Sequence, residues 1–185
     1  MRKIKSFNFI TLNGFFKGVD EDISWHLHGE EGKKFSEEQL QTLNVLLFGR
    51  RTYEMMYSFW TSNMAFDNFP IVANKMNSSE KIVVTNTIEK SDWQNTKILK
   101  GNMIEQLKIF ASTAGNDITI LGSGSIVSQL TDAGLIDTYQ FLIDPLAIAD
   151  GVGLFDQMKE KINLHLVDYK IFKTSGQVLL TYDRH

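Results

Sequence analysis

Asp117-Ile118-Thr119-Ile120-Leu121-Gly122-Ser123-Gly124-Ser125 is an apolar, β-branched run that stops at two closely spaced glycines and gives way to helical spacing. The run reads as a strand, and Ser125 to Ala133 reads as the helix it feeds, closed by Gly134 as a C′ residue. A stretch of the same build lies upstream. Val45-Leu46-Leu47-Phe48 is a short apolar run ending at Gly49, the pattern of a strand buried on both faces. A helix follows from Thr52 to Phe59, with Tyr53, Met56, Tyr57 and then Trp60 at helical spacing.

Outward from these two units the alternation continues. Ile4 to Leu12 is a first strand ending in the Asn13-Gly14 turn, Lys81 to Thr85 is another, and Lys97-Ile98-Leu99 is a short one. Asn102 is the N-cap expected for a helix with Met103, Leu107 and Phe110 on one face. Thr138 to Asp144 is a strand reaching Pro145, and Asn163 to Phe172 with Gln177 to Tyr182 form a hairpin around Ser175-Gly176. Phe15 to Gly32 reads as an irregular loop. Ser36-Glu37-Glu38-Gln39 has the spacing of a capping box and starts a helix running to about Leu43. Strands alternating with helices imply an α/β fold: a mixed, mostly parallel central sheet, helices on both faces, and a C-terminal antiparallel hairpin. No linker-like stretch divides the chain, so residues 1–185 are expected to form a single domain.

Composition removes several function classes. The formal net charge is −3, with the basic residues scattered, so a nucleic-acid partner is not expected. There are no cysteines, which excludes disulfides, thiolate zinc sites and cysteine nucleophiles. The polar start Met1-Arg2-Lys3-Ile4-Lys5 lacks a signal-peptide apolar run, and no stretch nears the roughly 20 apolar residues of a membrane span. The expectation is a cytoplasmic protein with no membrane partner. His26 and His28 lack a third ligand at metal spacing and read as the surface of a loop; no metal site is expected.

Ligands of open α/β sheets bind outside the carboxyl ends of the strands, where loops enter helices. Two such places carry glycine here, Gly49-Arg50-Arg51-Thr52 and Gly122-Ser123-Gly124-Ser125. Glycine permits close backbone approach, and a helix N-terminus offers unpaired N–H groups with a positive dipole end. Arg50 and Arg51 are electrostatically wrong for the helix they open unless an anion sits beside them.

In order along the chain, Thr11-Leu12-Asn13-Gly14, Leu47-Phe48-Gly49-Arg50-Arg51-Thr52-Tyr53-Glu54, Leu121 to Ser125, Ala133-Gly134-Leu135-Ile136-Asp137, and Pro145 with Gly151-x-Gly153-Leu154-Phe155 resemble the motifs of the dihydrofolate-reductase-like family. That family includes the riboflavin-biosynthesis reductase domain. The resemblance implies its three-layer sandwich and NADPH bound across both turns. Gly49, Arg50, Arg51 and Thr52 would meet the pyrophosphate and the 2′-phosphate side, with Thr85 and Asn86 at the adenosine 2′-phosphate. Gly122, Ser123, Gly124, Ser125 and Ile126 would cradle the pyrophosphate and ribose nearer the nicotinamide. The implied activity is reduction of a planar heterocycle, pterin-like or of the 5-amino-6-(5-phosphoribosylamino)uracil type, by a stand-alone reductase domain. A homodimer through the apolar C-terminal half is implied as well.

This chain departs from the family at Asn13, where an aspartate is usual, so a substrate-orienting carboxylate is missing there. Asn13 and Trp25 are candidate substrate contacts, and Asp22 is the candidate acid for proton delivery. The alternative reading is a dinucleotide-binding module without catalysis.

Overall fold

The structure, a computed structural model, describes residues 1–42 and 44–185. In chain order its elements are β1 (Ile4–Thr11), β2 (Phe15–Lys17), α1 (Glu30–Gln39), β3 (Val45–Gly49), α2 (Arg50–Trp60), α3 (Asn63–Asn68), α4 (Pro70–Ser78) and β4 (Lys81–Val84). There follow β5 (Thr96–Leu99), α5 (Met103–Ser112), β6 (Ile118–Leu121), α6 (Gly124–Asp132), β7 (Thr138–Asp144), β8 (Val152–Gly153), β9 (Leu164–Phe172) and β10 (Gln177–Arg184).

Eight strands form one sheet in the order β5-β4-β3-β6-β1-β7-β10-β9. The six from β5 to β7 run parallel, and β10 pairs antiparallel with both β7 and β9. Alternation along each strand supplies both faces. Val45 and Leu47 join Ile4, Ile118 and Ile120 in a core with Leu107 of α5 and Val127 of α6. Leu46 and Phe48 point the other way, into a cluster with Tyr53 of α2 and Val72 and Met76 of α4. Phe7 and Phe9 of β1 pack with Phe35 of α1, Leu142, Phe172 and Leu179. The expected mixed α/β sandwich with its closing hairpin is the observed architecture.

Some local expectations are corrected. The helix expected from Ser36 starts at Glu30, with Gly29 in the cap position, so Ser36 lies inside α1 and caps nothing. Glu30 and Glu31 occupy its first turn, where the macrodipole favours them, and burial of Phe35 sets its inward face. The expected end at Leu43 falls outside the described residues. Within the supposed loop from Phe15, residues 15–17 are a strand that pairs antiparallel with β8. Asn102 does cap α5, its side chain accepting from Glu105 N. Among the described residues, no helix is long and apolar enough to cross a membrane.

Candidate functional site

All six parallel strands end at the same edge of the sheet. Their order reverses there: β6 lies between β3 and β1, and β7 lies beyond β1. At this switch point α2 starts from Gly49 and α6 from Ser123, and no side chain caps either helix. The neighbouring α3 and α5 do have such caps, from Ser62 and Asn102. First-turn amides of α2 and α6 are therefore left for something other than a protein side chain.

Ser123 is spent on joining the two turns. Its Oγ accepts the Gly49 N–H at 2.9 Å and donates to the Leu121 carbonyl at 3.0 Å, from a left-handed backbone at φ 60°. Gly122, also left-handed at φ 57°, gives its N–H to the Phe7 carbonyl at 3.3 Å. A Cβ on Gly124 would sit 2.7 Å from the Phe16 ring, so a larger residue there would have to push that ring aside.

Both turns open into a cleft of about 330 Å³. Gly49, Arg50, Arg51, Thr52, Ser123, Gly124 and Ser125 line it together. The far wall comes from the β2–β8 ribbon and its continuation: Phe16, Lys17, Val152, Gly153, Leu154 and Asp156. Gly122 and Ile126 lie behind this surface. A Cβ on Gly122 would meet Thr52 at 3.3 Å, and buried Ile126 packs beneath Gly49. Thr85 and Asn86 stand outside the lining residues. The Thr85 hydroxyl accepts from Thr87 N and Ile88 N, and the Asn86 side chain accepts from Gly101 N.

The charges have particular partners. Arg50 pairs with Glu54 on its own helix at 2.9 Å. Arg51 and Lys17 both bind Glu21 Oε1, at 2.7 and 2.6 Å. Partial burial pushes the Glu21 carboxyl up, but the Lys17 and Arg51 contacts outweigh it and hold the group below its ordinary range.

The substrate-side candidates are dispersed. Asn13 is exposed and clasps two segments. Its Oδ1 accepts from the Thr11 hydroxyl at 2.8 Å, and its Nδ2 donates to the Ile148 carbonyl at 2.8 Å. A carboxylate has no N–H for the second bond, so the departure from the family's aspartate has a structural use here. Asp22 is exposed and its carboxylate accepts from Ser24 N at 2.9 Å, which lowers its pKa further. It does not line the cleft. Trp25 donates its indole N–H to the Asp22 carbonyl and meets His26 edge-on, with ring centroids 6.3 Å apart.

His26 is where the expectation of a loop-surface histidine pair fails. His28 is exposed, but His26 is buried. Its ring stacks on Phe9 at a centroid distance of 3.5 Å, and its Nδ1 lies 2.8 Å from Asp144 Oδ2. Asp144, fully buried at the end of β7, also accepts from Leu27 N and Gln177 Nε2 on Oδ1, both at 2.9 Å. Three donors aimed at one carboxylate make Nδ1 the donating nitrogen, which leaves Nε2 free of protein hydrogen bonds among the described residues. Burial, followed by the neighbouring His26, lowers the His28 pKa, against a raising effect of Asp144. Nothing local in the sequence joins His26 to a carboxylate 118 residues away. Among the described residues no cluster of three or more His, Asp or Glu side chains has the arrangement of a metal site.

Strand order, crossovers and the two helix N-termini at the switch point define a dihydrofolate-reductase-like fold. The chain belongs to the RibD C-terminal domain family, which matches residues 2–180. It is 25% identical over 173 residues to the uncharacterized protein YyaP of Bacillus subtilis (strain 168), covering 94% of this chain and 90% of the relative. Among solved structures it is similar to a protein assigned to riboflavin biosynthesis from Shewanella sp. PV-4, with a TM-score of 0.72, 17% identity and 99% of each chain covered. It is also similar to dihydrofolate reductase from Enterococcus faecalis complexed with NADP(H) and RAB-propyl, with a TM-score of 0.67 and 17% identity over 99% of this chain and 96% of that one.

Proposed function

We propose that this chain is an NADPH-dependent reductase of a planar heterocycle, pterin-like or of the 5-amino-6-ribosylamino-uracil type. The observation that carries the reading is the convergence of two uncapped helix N-termini, tied by Gly49 N–H to Ser123 Oγ, on a cleft that also holds Lys17, Arg50 and Arg51. Three cations in one cleft of a chain with net charge −3 fit a phosphate-bearing cofactor. The relative from Enterococcus faecalis was solved with NADP(H), in agreement with that choice.

The amides of the two turns and the Ser125 hydroxyl would hold the pyrophosphate and ribose. Arg50 and Arg51 would hold the 2′-phosphate, with Thr85 and Asn86 flanking the adenosine end. When bound, the cofactor supplies a hydride to a C=N or C=O carbon of the acceptor. The acceptor lies against Phe9 and His26. The Gly122 turn meets β1 at Phe7, and Phe9 stands on the same face about 7 Å further along the strand. His26 Nε2 delivers the proton that the acceptor nitrogen or oxygen takes up, while Asp144 holds the ring by Nδ1. Titration with NADPH, followed by tryptophan fluorescence, tests the reading: saturable quenching is expected, and silence at millimolar NADPH would sink it.

One observation favours a second reading, a dinucleotide-binding module without turnover: Asn13 and Asp22 are both committed to hydrogen bonds within the protein. Tight NADPH binding with no oxidation across a panel of pterins and diaminopyrimidines would select it. We also infer a homodimer. Leu166, Tyr169 and Ile171 of the edge strand β9 are exposed on the face shared with Val178, Leu180 and Tyr182, and a bulge next to Tyr182 keeps Leu166 on that face. Sedimentation should show a dimer that Tyr169→Asp dissociates; a monomeric wild type would remove it.

A further inference from the structure

Among the residues lining the cleft, Glu21 is chemically out of place. Asp156 also lines it, but its Oδ2 accepts the Gly153 N–H of its own ribbon at 2.7 Å. Glu21 instead reaches into the cations. One oxygen, Oε1, takes both Lys17 Nζ and an Arg51 N–H, joining β2 to the first turn of α2. The turn that presents it, residues 19–21, is held in an uncommon conformation. Asp20 and Glu21 are consecutive non-glycine residues with φ of 56° and 66°, a region that ordinary side chains disfavour. Such a turn persists when contacts offset its strain, and the ion pairs of Glu21 are the contacts this turn makes with the cleft.

Resting on the nucleotide reading above, we propose that Lys17 and Arg51 form a phosphate seat and that the Glu21 carboxylate is its internal stand-in, which an incoming phosphate group displaces. A carboxylate oxygen shared by an ammonium and a guanidinium is the contact that a phosphate oxygen makes better, since phosphate brings more charge and more acceptor atoms. The seat is thereby kept from other anions until a ligand arrives with further contacts on the two turns. The phosphate belongs either to the dinucleotide or to a phosphorylated substrate.

The test uses Glu21→Gln, with Asp20→Asn as a control that changes the same loop by the same charge without touching an ion pair. Calorimetric titration at low ionic strength with inorganic pyrophosphate should show Glu21→Gln binding about tenfold tighter than wild type, as expected for losing an internal competitor with two charge-assisted contacts. Asp20→Asn should bind as wild type does, and adding Lys17→Ala to Glu21→Gln should abolish the gain. Equal gains for the two single variants, or none for Glu21→Gln, would overturn the proposal. Competition then identifies the source. NADPH displacing pyrophosphate assigns the seat to the dinucleotide, and ribose 5-phosphate displacing it while NADPH still binds assigns it to the substrate. A pyrophosphate gain without any NADPH binding keeps the seat and removes the nucleotide reading. NADPH binding without the gain does the reverse.

Discussion

The backbone N–H of Gly49 and the hydroxyl of Ser123, separated by 74 residues of chain, meet at 2.9 Å and make one site out of two turns. Removing the hydroxyl leaves a half-buried N–H without its partner and frees the two helix N-termini to drift apart. Ser123→Ala should cost ~1–2 kcal/mol in urea unfolding and weaken NADPH by about tenfold. Wild-type affinity in that variant would show that the turns are held by packing alone.

Arg50 and Arg51 open α2 where its dipole opposes them, and the proposed function gives them the 2′-phosphate of NADPH to hold. The double variant Arg50→Ala/Arg51→Ala should weaken NADPH by roughly 10- to 100-fold and NADH by far less, because only the former carries a 2′-phosphate. Parallel titrations of the two cofactors check this, and equal weakening would break the link to that phosphate.

His26→Phe keeps an aromatic ring on Phe9 while removing both ring nitrogens. Asp144 loses one of its three donors, a destabilisation of ~1–3 kcal/mol. NADPH binding should be unchanged, and oxidation of NADPH with an accepted heterocycle should fall about 100-fold. A variant that turns over normally would take His26 out of the proton path.

Lys81 is a fully buried amine that donates to the carbonyls of Met76, Asn77 and Ser79 at 2.6–3.1 Å, closing the C-terminal end of α4. Burial pushes its pKa down to about 8 from 10.5. Between these values the unfolded chain binds more protons than the folded one, so stability rises as pH rises through the window. The gain should be ~2 kcal/mol, below the full linkage of the shift because three carbonyl acceptors favour the ammonium form. Unfolding measured from pH 8 to 10 should show a steeper rise in the wild type than in Lys81→Met, and equal slopes would remove Lys81 as the cause.

How much of this was legible in the sequence follows from the range of the interactions. Val45 to Phe48 is a fully apolar run and Ile118 to Leu121 a β-branched, mostly apolar one, each followed by glycine, so their strands, turns and helices are local facts. Arg50, Arg51 and Ser125 were readable for the same reason. The Ser36 box misled because the burial of Phe35 against Phe7 and Phe172 draws the helix start back to Glu30, a tertiary effect that overrides a local signal. Residues 63–78 carry no strong apolar period, and α3 and α4 went unread there. Lys17 and Glu21 become parts of the site only through the pairing of β2 with β8, and His26 only through Asp144. Thr85 is named by the resemblance alone, and nothing in the sequence signals that its hydroxyl accepts from Thr87 N and Ile88 N of its own turn.

The position of β1 inside the sheet has a consequence for how the molecule assembles. Phe7 and Phe9 belong to the first strand, yet both neighbours of that strand, β6 and β7, begin more than a hundred residues later. The carboxylate that holds His26 waits in turn for Gln177 in β10. During synthesis the surroundings of Phe9 and His26 therefore stay open until nearly the whole chain has emerged, whereas the β3–α2–β4 half can pair as soon as it is made. Sheets closed by such distant partners fold slowly, and here the last strand supplies the final donor to the carboxylate that holds His26.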